Sequence, residues 1–200
     1  MDTQQHWDAT YAKDPQQLSW TQPEPTVSLQ LIAEATPVGH VIDIGGGASP
    51  LAGLLLDRGY QPTVLDISGA AVERAKAALG PRAAQIEWIV ADVTGDVDLR
   101  SCDVWHDRAT FHFLTELAQR AAYFVKLRQT LRPGGHVILA TFALDGPEKC
   151  SGLQVRRYSP ELLTQELGPQ FHLIKTILET HHTPWGATQS CQYSLFQRTF

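Results

Sequence analysis

Short apolar runs recur along the chain, separated by longer stretches of mixed polarity. Five such runs predict buried strands: His40-Val41-Ile42-Asp43-Ile44, Thr63-Val64-Leu65-Asp66-Ile67, residues 86–90, residues 102–106 and residues 136–142. Between them the spacing predicts helices. One covers residues 51–56 and stops at Gly59; a second is Ala-rich, capped by Ser68 and ended by Gly80-Pro81. A third runs from Glu116 to about Leu131, capped by Thr115 and ended by the turn Arg132-Pro133-Gly134-Gly135. Residues 25–35 predict a helix ahead of the first strand, and residues 160–167 a short one after the fifth. Residues 171–178 and 192–196 read as two strands with no helix between them. Helices alternating with strands imply a parallel sheet covered on both faces, and the closing pair implies an antiparallel edge. The predicted fold is one doubly wound, Rossmann-like α/β domain over residues 1–200. Its seven-stranded sheet is mostly parallel with an antiparallel last strand.

Residues 1–24 break this rhythm. They are polar and aromatic, with Trp7, Tyr11 and Trp20 among prolines at 15 and 23 that limit helix length. With the helix that follows, residues 1–35 are expected to form a lid segment of the same domain. Aromatic faces attract cations, so such a cap suits a positively charged ligand.

Composition narrows the class. At 200 residues, 43% hydrophobic and 18% charged, the chain is globular and suits one domain. A net charge of −5 argues against a nucleic-acid partner, because phosphate binding calls for a basic surface. No apolar run approaches the roughly 20 residues that span a bilayer, and the first residues do not read as a signal peptide. The expected location is the cytoplasm, with no membrane partner. Cys102, Cys150 and Cys191 are far apart and odd in number, which argues against a disulfide framework or a zinc site. No metal is expected. Nothing in the pattern sets an oligomeric state.

The most specific feature is a strand, a glycine loop and a helix in direct succession: Asp43-Ile44-Gly45-Gly46-Gly47-Ala48-Ser49. A dinucleotide loop of the form G-x-G-x-x-G would place its third glycine at position 50, which is Pro50. A nicotinamide dehydrogenase is therefore disfavoured. The alternative pattern D-x-G-x-G-x-[GS] is met by Asp43, Gly45, Gly47 and Ser49. Asp66 ends the second predicted strand, where a carboxylate accepts from both hydroxyls of a ribose. Asp92 follows the third, where it can receive an adenine amino group. Ligands of open α/β sheets bind at these carboxyl ends.

These residues resemble class I S-adenosylmethionine methyltransferases, as do the Arg132–Gly135 turn and the terminal strand pair, over nearly the whole chain. The resemblance implies S-adenosylmethionine as cofactor and S-adenosylhomocysteine as product. It implies a glycine loop (Gly45, Gly46, Gly47, Ser49) that holds the methionine and ribose. Asp66 with Ile67 and Ser68 would take the ribose, and Asp92 with Val93 would frame the adenine. Trp20, His106 and Asp107 would complete the cofactor site. His6-Trp7-Asp8-Ala9-Thr10-Tyr11 is similar to the start of lysine methyltransferases that modify elongation factors and citrate synthase. Asp107-Arg108-Ala109-Thr110-Phe111 departs from their Asp-Lys-Gly-Thr-Leu-Asp, with His112 where the second acid would stand. Short bacterial methyltransferases of undefined substrate are a closer likeness, sharing Trp105-His106-Asp107-Arg108 and His182-Thr183-Pro184-Trp185-Gly186.

Methyl transfer is an in-line displacement that needs an aligned acceptor and, for some acceptors, a base. Three clusters offer those groups. In the first, Arg108 or His112 is expected to face the acceptor. The second is residues 179–186, between the last two strands. Adjacent histidines in a strand point opposite ways, so at most one of His181 and His182 should enter the site; His182 is the one expected, with Trp185 as a wall. The third is residues 150–158, where Arg156 and Arg157 can meet an acidic acceptor. The catalytic candidates are thus His112, His182 and Arg108. The function expected is methylation of a small-molecule acceptor, a thiol or another small nucleophile being compatible. The alternatives are a protein lysine N-methyltransferase and a non-catalytic S-adenosylmethionine-binding protein.

Overall fold

The computed structural model describes residues 3–199. A seven-stranded sheet forms its centre. Its strands are β1 (His40–Ile44), β2 (Gln61–Asp66), β3 (Glu87–Val90), β4 (Cys102–Arg108), β5 (Leu131–Phe142), β8 (Phe171–His182) and β9 (Thr188–Arg198), in the spatial order β3-β2-β1-β4-β5-β9-β8. Residues 149–150 and 153–154 form a separate small hairpin, β6–β7. Strands β1 to β5 are parallel, β9 is antiparallel to β5, and β8 is antiparallel to β9. Only the last strand runs against the others. The order reverses between β1 and β4, so their carboxyl ends flank the crevice where such sheets bind ligands.

Strand alternation builds a core on each face. Ile42 and Ile44 of β1 point to one side, into a core with Trp105, Tyr123, Leu127 and Phe196. Helices α5 (Leu117–Thr130) and α6 (Pro160–Leu167) cover that side. Val41 points to the other, joining Leu31, Ile32, Leu55, Tyr193 and Leu195 beneath α2 (Thr26–Ala35) and α3 (Leu51–Asp57). Helix α4 (Gly69–Leu79) packs beside α3, where Leu79 reaches Gly53. Ser68 caps α4 as expected, its Oγ accepting from the Ala71 N–H at 3.1 Å.

Four features differ from the pattern-based reading. Residues 3–11 form a helix, α1, despite weak apolar periodicity. Helix α5 is capped by Glu116 rather than Thr115, with Gln119 Oε1 accepting from the Glu116 N–H at 3.2 Å. The Arg132–Gly135 segment is a bulge inside β5 rather than a turn before it; Cys102 pairs with Leu131 and Val104 with His136. Strands β8 and β9 are longer than expected, leaving only residues 183–187 as their connection.

Candidate active site

The carboxyl ends of β1, β2 and β4 meet the N-terminal segment around three adjoining cavities. The largest, about 340 Å³, is bounded by Gly45, Asp66, Ile67, Asp92 and Val93 below, with Trp7, Tyr11 and Trp20 above. The second, about 240 Å³, lies against Asp43, Gly45, Gly46, Ser49, Arg74 and His106. The third, about 30 Å³, is bounded by Thr141, Cys150, Glu179, His181, Cys191 and Tyr193. Trp20 and Arg108 border all three, so they stand at the junction.

The glycine loop is shaped for close approach. Gly45 and Gly47 adopt φ of +65° and +46°, a region that favours glycine. A Cβ at Gly45 would strike Thr110 Oγ1, and one at Gly47 would strike the Tyr11 hydroxyl. The Gly45 N–H donates to the Leu65 carbonyl at 2.7 Å, tying the loop to the end of β2. Ser49 Oγ accepts from the Leu51 N–H at 3.2 Å and starts α3. Behind the loop, His106 Nδ1–H donates to Asp43 Oδ1 at 2.7 Å, and its Nε2 meets Ser28 Oγ at 2.9 Å. One ring proton satisfies all three groups, and Asp43 is fixed between β1, β4 and α2.

Asp66 is buried, and its Oδ1 accepts from the Ser68 N–H at 2.8 Å. Burial pushes its carboxyl up to about 6, against the Ser68 and Gly47 amides that favour its charge. Asp92 is placed at the cavity mouth, accepting from the Thr94 N–H at 2.8 Å. Ser68 lies behind Asp66, fully buried, rather than on a cavity wall.

The roof is aromatic. Trp7 stacks edge-on against Phe113 at 4.9 Å and Trp20 at 5.9 Å, and Tyr11 meets Trp20 at 5.9 Å. Asp8 fixes α1 to the floor by accepting from Ser68 Oγ at 2.6 Å and the Ala70 N–H at 3.2 Å. Arg74 donates to the carbonyls of Tyr11 and Lys13. Tyr11, Thr110, Phe113 and His181 are bordering residues that the sequence reading did not select as site residues. Tyr11 is expected only as part of the aromatic cap with Trp7 and Trp20; Trp7 and Tyr11 stand at i, i+4, one face of a helix.

Several expected site residues fall elsewhere. His112 is wholly buried behind Phe113, packed on Phe142, with neither ring nitrogen hydrogen-bonded. Burial pushes its imidazole down to about 3, so it stays neutral and borders none of the three cavities. Asp107 also faces inward. It accepts from the Thr110 and Phe111 amides at 2.9 and 3.1 Å and from Tyr123 Oη at 2.7 Å. It therefore shapes the 109–113 turn, in which Ala109 takes φ +70°. His182 is exposed, and its neighbour His181 turns in instead. His181 Nε2–H donates to the Ser19 carbonyl at 2.6 Å, and Nδ1 faces Gln22 Nε2 at 3.2 Å. Trp185 is 57% exposed at the hairpin tip and walls nothing. Arg156 pairs with Glu166 and Arg157 with Glu148, each at 3.1 Å, so neither is free for an acceptor. Among the described residues no group of His, Cys, Asp or Glu has the arrangement to hold a metal ion, and no helix is long and apolar enough to cross a membrane.

Residues 42–139 match the family model described as a methyltransferase domain. The stretch runs from β1 through β5 and holds Asp43, the glycine loop, Asp66 and Asp92. That segment is an S-adenosylmethionine-dependent methyltransferase domain. Its fold is the class I fold. Solved structures agree in fold. The N-methyltransferase NodS from Bradyrhizobium japonicum, bound to S-adenosylhomocysteine, superposes with a TM-score of 0.78 at 17% identity, covering 99% of each chain. The 1,6-didemethyltoxoflavin-N1-methyltransferase from Burkholderia thailandensis, bound to 1,6-didemethyltoxoflavin and S-adenosylhomocysteine, gives 0.71 at 18% identity, over 98% of this chain and 83% of that one. A structure solved for the conversion of a disulfide bond into a thioacetal group in echinomycin biosynthesis gives 0.79 at 20% identity, over 98% and 93%. No curated protein matches the methyltransferase sequence.

Proposed function

We propose that this methyltransferase acts on a small-molecule acceptor. The observation that carries the reading is enclosure. Trp7, Tyr11 and Trp20 roof the large cavity, and the third cavity beside Trp20 measures only about 30 Å³. A confined site suits a small nucleophile better than a protein surface that must dock. Two fold neighbours are N-methyltransferases, and the Burkholderia one holds 1,6-didemethyltoxoflavin, a small molecule.

The residues present fit the cofactor. Gly45 and Gly46, whose close approach leaves no room for a side chain, would face its methionine and ribose. Asp66, buried with carboxylate capacity to spare, would accept from the ribose hydroxyls. Asp92 and Val93 border the same cavity and would frame the adenine. When bound, the cofactor supplies an electrophilic methyl group on a sulfonium. The protein's part is orientation and exclusion of water, performed by the aromatic roof and by Arg108 and Trp20 at the junction. Among the described residues the two histidines that border the cavities, His106 and His181, have both ring nitrogens engaged with the protein, so the site suits an acceptor that arrives with a free lone pair, such as an amine or a thiolate.

The test is an acceptor screen with radiolabelled S-adenosylmethionine against thiols, amines, small acids and a size-fractionated lysate. Label in small molecules supports the reading. Label confined to protein assigns the enzyme to protein methylation. Cofactor binding with no transfer to any fraction marks a binding protein.

A further inference from the structure

Arg108 is the charged group at the junction whose protein partners do not account for its charge. It ends β4, is half-buried, and borders all three cavities. Among the described residues its one side-chain hydrogen bond runs from an Nη2–H to the Trp20 carbonyl at 3.1 Å. A guanidinium carries five N–H donors, and among the described residues no carboxylate lies within ion-pair distance of this one. Arg74 and Arg198, also half-buried, each donate to two carbonyls, and the more deeply buried Arg120 meets Glu166 at 3.2 Å, so Arg108 with its single bond is the least engaged of these guanidinium groups. A partly desolvated cation without a counter-ion is costly, and an anion supplied by a ligand removes that cost.

Two features give the anion a place. Arg108 borders the third cavity, and its charge reaches both Cys191 and Tyr193 there, favouring their ionised forms where burial and the Glu179 charge oppose them. Glu179 shares that cavity, but its carboxylate is already engaged. Oε2 accepts from Tyr193 Oη at 3.0 Å and Oε1 from Gln22 Nε2 at 3.3 Å. The second cavity also has its own cation, Arg74, toward the glycine loop. Arg108 is therefore free for a second anion besides the cofactor's carboxylate.

Building on the small-acceptor reading, we propose that the acceptor carries a carboxylate and that Arg108 is the residue that holds it. The planar fork matches a carboxylate in two parallel bonds, which fixes orientation as well as position. The pairing has an electrostatic sense. A sulfonium beside an unneutralised guanidinium repels it, and an anionic acceptor between the two is attracted by both. Arg108 thus acts as a specificity residue rather than as a base.

The experiment uses the full chain saturated with S-adenosylhomocysteine. Acetate and propionate are titrated against acetamide and propionamide, following the Trp20 indole N–H by NMR. The acids should give saturable shifts and the amides none. Arg108→Gln, which can still donate to the Trp20 carbonyl, should weaken the acids at least tenfold, and Arg108→Lys should fall between. Affinity for S-adenosylhomocysteine should stay within threefold in both variants. Equal responses to acids and amides overturn the proposal. So does a tenfold loss of S-adenosylhomocysteine affinity in Arg108→Gln with 5′-methylthioadenosine affinity unchanged, because Arg108 then holds the cofactor's carboxylate. An uncharged small molecule found as the methyl acceptor would overturn the anion site and leave small-molecule methylation standing.

Discussion

Ser68 Oγ donates to Asp8 Oδ1 at 2.6 Å, and this bond joins the N-terminal helix to the start of α4 directly behind Asp66. Asp8 also sits at the N-terminus of α4, where a negative charge is favoured. The roof and the ribose side of the site are thus mechanically linked. Asp8→Ala should leave the fold intact while loosening α1. A charge-assisted bond at a partly exposed position contributes about 1–2 kcal/mol, so affinity for S-adenosylhomocysteine should fall roughly 5- to 30-fold. Calorimetry measures the loss, and limited proteolysis should cut first within residues 12–25. Unchanged affinity would reduce α1 to an anchor.

Asp66 ties stability to cofactor binding in opposite senses. Burial raises its carboxyl to about 6 in the folded protein, above the ordinary carboxylate value near 3.9. The folded state therefore prefers the protonated form. That contribution to stability is full below about pH 4 and is lost as pH rises through 6. Above that window the buried charge costs on the order of 2–3 kcal/mol. Ribose hydroxyls would offset the cost by donating to the ionised form. Asp66→Asn should accordingly raise the ligand-free melting temperature at pH 7.5 and lower cofactor affinity by about 10- to 100-fold. In the wild type, affinity should weaken as pH drops below 6. A variant with full affinity would remove Asp66 from the ribose.

His112 makes the contrary case. Its two unpartnered nitrogens are buried, and its imidazole is pushed down to about 3. A depressed histidine contributes stability above its unfolded value near 6.5 and loses it as pH falls toward 3. Acid should therefore destabilise the protein through this residue across that window. His112→Leu should soften the acid limb of the stability profile and cost no more than twofold in turnover. A large loss of turnover would return His112 to the reacting groups.

The parts of the site legible in the sequence are those set by local rules. Gly45 and Gly47 follow from the need for positive φ at a strand-to-helix turn, and Asp66 and Asp92 from strand ends. Helix α1 was hidden because its stability comes from Asp8 and from aromatic contacts made across the chain, not from its own periodicity. His112 and Asp107 looked chemical because polar residues follow an apolar strand. Both are turned away from the cavities by the 109–113 turn, in which Ala109 takes a positive φ.

The choice between His181 and His182 failed for a different reason, and it yields the last prediction. Side chains alternate along a strand, so counting from buried Phe171 should place every odd residue of β8 on the α5–α6 face. A bulge intervenes: Leu173 pairs with Phe196, but Lys175 pairs with Leu195, its immediate neighbour. Two residues of β8 are spent on one of β9, and the odd positions beyond cross to the α2 face. Ile177, Glu179 and His181 thus reach the side of Tyr193 and the third cavity, while His182 points to solvent. Its Nε2–H bond to the Ser19 carbonyl and the contact with Gln22 make His181 the support of the 18–22 segment, which carries Trp20. His181→Ala should release that segment. Amide exchange at residues 19–22 should quicken, and S-adenosylhomocysteine should dissociate about tenfold faster, since a buried carbonyl left unpaired costs roughly 1–3 kcal/mol. His181→Gln, which can still donate to Ser19, should recover part of the loss. His182→Ala should change neither quantity beyond twofold. If His182→Ala alone altered dissociation, the odd residues of β8 would have to stay on the Phe171 face, and the bulge at Leu173–Lys175 would be the feature to discard.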